Sequence, residues 1–152
     1  MIKELVKDEA ILSTPCEPAT AADAEIAQDL VDTLLSIEDA ACLAANQIGE
    51  TKAICALADD EGNTLVMYNP KVLFGMGAFK AEESCLTREG SVRVTRFVKI
   101  KVAYDELVDG ELKPRKRDFV EWPAELIQHM CDHCQGKLVD VDGLRLVVRG
   151  IG

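Results

Sequence analysis

Apolar residues recur at helical spacing from Thr20 to about Glu38, where Ala24, Ala27, Leu30, Val31, Leu34 and Leu35 gather on one face. Asp23 stands near the start, where a carboxylate suits the positive end of a helix. This segment is read as an amphipathic helix. Ahead of it, STPCEP (13–18) carries two prolines and reads as loop. Beyond it the pattern shortens. KAICALA (52–58) and TLVMYNP (64–70) are strand-like, and the polar DDEGN between them predicts a hairpin turn. Pro70 is expected to end the second strand, with KVLFG (71–75) extending the sheet. SVRVTRFVKIKVAYDEL (91–107) holds one long strand or two, with its best alternation from Val98 to Tyr104. The Asp109-Gly110 pair predicts a turn, and ELKPRKRDFV (111–120) a further strand. Pro123 suits a helix start, and that last helix should run to about Cys134 and stop near Gly136.

One helix before a run of strands and one after it predicts an α+β fold rather than a parallel βαβ sheet. The expected architecture is antiparallel sheets packed around the C-terminal helix, with one N-terminal amphipathic helix. At 152 residues the chain is long enough for one domain with its own core, expected to span 1–152. A net charge of -10 disfavours nucleic acid and anionic membranes, which both reward positive charge. No run of about 18 apolar residues offers a membrane span, and no signal-peptide pattern opens the chain. A cytoplasmic location is therefore expected, and the six cysteines are read as thiols rather than a disulfide framework. Cys16, Cys42 and Cys55 are expected in the core.

The chemistry concentrates in LIQHMCDHCQG (126–136). His129 and His133 lie four apart, which on a helix turns the rings to one face, about 40° apart, able to share a metal ion. They are the chain's two histidines. Two ligands rarely complete a site, so a third is sought among the cysteine thiolates and the carboxylates. Cys131 points away from the histidine face and Cys134 is poorly aimed. Cys85 is different, because its polar surroundings AEESCLTREG give a thiol no evident packing role.

Three ordered segments carry a resemblance: ACLAANQIG (41–49), EESCLT (82–87) and QHMCDH (128–133). Together they resemble the peptide deformylase family, whose first motif is G-x-G-x-A-A-x-Q. VMYNP and VTRFVKIKVAY also fall where the family has similar segments, so the likeness covers nearly the whole chain. The resemblance implies Cys85, His129 and His133 as ligands of one divalent ion, typically iron(II) in the cell, with zinc, nickel or cobalt able to take its place. It implies Gln47 and the backbone N–H of Leu86 as donors to the developing oxyanion. Glu83 and Arg96 match a charged pair that steadies the cysteine loop, and Asp132 supports the helix. The implied reaction is removal of the N-formyl group from the initiator methionine of nascent peptides by metal-activated water. An N-formylated peptide or nascent chain is thus the implied partner.

The chain departs from the family around base and substrate. Met130 stands where the family places the glutamate that moves the water proton, and a thioether has no proton to exchange. A positioned base is worth about 10²–10⁴-fold in rate. The first motif's glycines are Ala40 and Cys42, so Ala41 and Cys42 are expected to line a narrowed groove. Ser84 and Arg88 replace a glycine and a proline beside Cys85. Glu125 lies one turn before His129, where an aliphatic residue usually lines the methionine pocket; as an alternative it is a solvated helix-face charge. Two readings follow: a deformylase-like enzyme with an impaired base step, or an inactive relative that binds metal and a peptide or protein partner.

Overall fold

The computed structural model describes residues 1–83 and 92–137. Ser84, Cys85, Leu86 and Arg88 lie outside the described residues, so their expected roles receive no geometry.

Thr20 starts the helical region through a capping box. Its hydroxyl accepts from Ala22 N at 3.2 Å, while Asp23 Oδ2 accepts from Thr20 N at 2.9 Å. A 3-10 turn, Ala21–Asp23, leads into α2, Ala24–Ser36. A short helix α1, Glu9–Leu12, precedes it; four residues give too little periodicity to read from sequence.

The five strands are β1 (Cys42–Ala44), β2 (Ile54–Ala58), β3 (Thr64–Glu83), β4 (Val92–Val108) and β5 (Glu111–Val120). They pair antiparallel in sequence order. The described part of the 91–107 segment, from Val92 on, is one strand. Asp109 (φ 51°) and Gly110 (φ 80°) make the tight turn into β5, both left-handed as a two-residue hairpin requires.

Pro70 does not end its strand. β3 continues to Glu83, and the pairing with β4 slips between Tyr68 and Lys71. Asn69 takes φ 54° there, and its side chain bonds both Ala19 N at 2.8 Å and Ala19 O at 2.9 Å. The irregularity places proline where the ladder is already interrupted, so its missing N–H costs no pairing.

The last helix, α3 (Glu121–Cys134), starts two residues before the expected proline, with Pro123 in its first turn. Its end is a Schellman motif: Gly136 N donates to His133 O at 3.0 Å and Lys137 N to Asp132 O at 2.9 Å. Gly136 has φ +71°, and a Cβ there would lie 2.6 Å from Ser13 O.

The helices cover opposite faces of the sheet. Cys42, Ala44, Cys55, Leu57, Met67, Ile100 and Val102 pack with Leu126, Ile127 and Met130 of α3. The alternate residues Leu43, Ile54, Ala56, Ala58 and Tyr68 pack with Ala27, Leu30 and Leu34 of α2. β1 and β2 are therefore buried on both sides, which explains their runs of consecutive apolar residues. Among the described residues no helix is long and apolar enough to cross a membrane.

Candidate active site

α3 carries both histidines on its buried side, His129 at 1% exposure and His133 fully buried. Their ring centroids are 5.0 Å apart. Gln128 fastens this helix to β4: its Oε1 accepts from Phe97 N at 2.9 Å, and its Nε2 donates to Phe97 O at 2.9 Å. Asn46 Nδ2 donates to His133 O at 2.9 Å and ties the helix end to the 3-10 turn Ala45–Ile48. Sequence reasoning missed both amides; their place inside the quoted segments QHMCDH and ACLAANQIG was the available signal.

Glu83, at the last described position of β3, is 2% exposed. Its Oε1 lies 2.8 Å from His129 Nδ1. Arg96 of β4 donates to the same carboxylate twice, from Nη2 at 2.6 Å and from Nε at 2.9 Å. Arg96 Nη1 then donates to Asp132 Oδ2 at 2.7 Å. The structure thus joins Glu83, Arg96 and Asp132, and adds His129 to the group. Burial pushes the Glu83 carboxyl up, but the bonds from His129 and Arg96 outweigh it and hold the carboxyl at about 2. An ionised carboxylate only accepts, so His129 carries a hydrogen on Nδ1, and Nε2 is the ring nitrogen that would serve as a ligand atom. Burial above all, with the nearby His129 and Arg96, holds His133 well below the ordinary histidine range. A neutral imidazole is what a metal ligand must be.

Gln47 is buried within the 3-10 turn, and its Oε1 accepts from Ala44 N at 2.9 Å. An amide whose oxygen is used this way offers N–H donors with its other end. Met130 is fully buried within the α3-side core, in the same cluster as Ala41 and Cys42. Glu125 is half-buried on α3, near Glu83. Burial first, then the neighbouring Glu83 carboxylate, raise its carboxyl to about 7. Cys131 is likewise pushed up by burial, to about 12, as suits a core thiol. Among the described residues no group of three or more histidines, cysteines and acids is placed to hold a metal ion. Cys85, the expected third donor, lies outside them.

A family model described as polypeptide deformylase matches residues 2–143. The chain is 38% identical over 141 residues to the peptide deformylase of Clostridium beijerinckii, covering 91% of this chain and 100% of that relative. A class I type b peptide deformylase from Acinetobacter baumannii superposes with TM-score 0.78 at 27% identity, covering 91% of this chain and 97% of that one. A peptide deformylase from Legionella pneumophila gives 0.79 at 27% identity, covering 91% and 83%. The chain belongs to the peptide deformylase family. Its members are metalloenzymes, hydrolases of protein biosynthesis, which supports a divalent metal here.

Proposed function

We propose that the chain is a deformylase-type, metal-dependent amide hydrolase whose base step is impaired. Cys85, His129 and His133 would hold one divalent ion, iron(II) in the cell and zinc or nickel in a purified sample. The observation that carries this reading is the Glu83 bridge to His129 Nδ1, which presents Nε2 beside a neutral His133. When bound, such an ion acidifies a water and polarises the formyl oxygen.

The chain's own groups do the rest. Gln47 N–H and the Leu86 backbone N–H would receive the oxyanion. Glu83, Arg96 and Asp132 hold His129 and the helix in position. Met130 can neither accept the water proton nor pass it to the leaving amine. Ala41, Cys42 and Glu125 would shape the methionine pocket, and a carboxyl at Glu125 disfavours an apolar side chain there. The substrate is an N-formylated peptide or nascent chain, handled by a single domain over 1–152 in the cytoplasm, without nucleic acid or membrane.

A second reading is an inactive relative that binds metal and a peptide or protein partner. The burial of Met130 among core side chains favours it, because no exchangeable group replaces the base at that position. Metal analysis joined to formyl-Met-peptide hydrolysis tests the proposal. About one ion per chain, lost in His133→Ala, with slow hydrolysis of the formyl peptide, is expected. Parent protein that retains no ion after loading contradicts both readings. Ion binding without any hydrolysis selects the second.

A further inference from the structure

The loop before α2 is strapped across the C-terminal end of α3. Cys16 N donates to Cys134 O at 2.9 Å, and the next residue is held by Glu17 N→Thr51 O and Ala53 N→Glu17 O, both 2.9 Å. Gly136 lies so close beneath Ser13, Thr14 and Pro15 that a Cβ would come within 2.6–2.7 Å of their backbone. The crossing is therefore fixed on both sides of Cys16. The backbone bond from Cys16 N sets Cys16 directly beside Cys134 within the crossing.

With Cys16 N 2.9 Å from Cys134 O, the covalent reach from each Cα limits their separation to roughly 6.7 Å at most, within the ~4.4–6.8 Å span of disulfides. Cys16 is half-buried and within reach of a small reagent, whereas Cys134 is buried. Cys55 and Cys131, also near Cys134, are more deeply buried at 0% and 5% exposure. The Cys131-Cys134 spacing attracts notice in the sequence, yet a backbone bond brings Cys134 to Cys16, 118 positions away.

We propose that Cys16 and Cys134 form a reversible disulfide, a redox latch that fastens the strap to the last turn of α3 beside His133. The oxidant is a small-molecule disulfide, such as glutathione disulfide. The Cys16 thiolate attacks one of its sulfurs, the small S–S bond breaks, and one small thiol leaves carrying a proton. The Cys134 sulfur then attacks the Cys16 sulfur of the mixed disulfide. The second small thiol leaves with the proton that Cys134 gives up. Two protein thiols are oxidised and one small disulfide is reduced to two thiols. In a reducing compartment the latch stands open, so closure would report oxidation.

The test takes the metal-loaded full chain, treated with excess glutathione disulfide and digested without reductant. Peptide mapping should find the Cys16 peptide joined to the Cys134 peptide, released by dithiothreitol and absent from Cys16→Ser. Closing so long a loop should also raise Tm by about 5–10 °C in the parent but not in the variant. Glutathione left on Cys16 without a cross-link overturns the proposal. So does a cross-link to any other cysteine. Should Cys16→Ser fail to fold, the map of the parent decides alone.

Discussion

Glu83 accepts from three nitrogens of two residues, so its loss leaves Arg96 and His129 facing each other in a dry site. Glu83→Gln keeps the shape but removes the charge. It should destabilise the fold by about 1–3 kcal/mol, because Arg96 then keeps only the Asp132 carboxylate and loses its two charge-assisted bonds to Glu83. It should also weaken metal binding by roughly 10–100-fold through the lost support of His129. Chemical denaturation and metal titration measure the two effects separately. The same carboxylate gives a pH signature. Its pKa falls from 4.5 to about 2 on folding. Its contribution, about 3 kcal/mol at full ionisation, is thus complete above pH 4.5 and lost as pH falls toward 2. Glu125 behaves oppositely, since its pKa rises from 4.5 to about 7. The folded state keeps the Glu125 proton longer, so this group erodes stability as pH climbs from 4.5 through 7. Replacing it with glutamine should flatten that decline relative to the parent in melting curves taken across the window. A parallel decline in both proteins would show that Glu125 is solvated.

Elements follow the sequence where one period governs them. α2 is legible because six apolar residues repeat on one face and Thr20 and Asp23 close the capping box. The Asp109-Gly110 hairpin is legible because positive φ at both positions selects those residue types. The length of β3 was hidden by Pro70, which forbids a central strand in general but sits here at a pairing irregularity held by Asn69. Asn69→Ala would strand the backbone groups of Ala19 and should cost about 1–3 kcal/mol; equilibrium unfolding checks it. At the far end of α3, Gly136→Ala combines a left-handed backbone with a collision against Ser13–Pro15. A loss of about 2 kcal/mol or more is expected, seen as a lowered midpoint in urea.

At the scale of the molecule, the sheet carries α2 on one face and the histidine helix on the other, with Glu83 and Arg96 delivered by adjacent strands. The histidine spacing was readable because i and i+4 share a helix face. The Glu83–Arg96–Asp132 set came through resemblance, but the bond from Glu83 to His129 spans 46 positions and no local pattern encodes it. Gln128 and Asn46 were unread for the same reason: their partners, Phe97 and His133, are distant in sequence. Family membership therefore accounts for the scaffold, and the central claim concerns the buried thioether at position 130. Formyl-Met-peptide hydrolysis by iron- or nickel-loaded parent, run beside Met130→Glu, tests that claim most directly. The account predicts that the glutamate raises turnover by about 10²–10⁴-fold at unchanged metal content. Equal rates in parent and variant, with metal bound in both, would contradict it and require another group to move the proton.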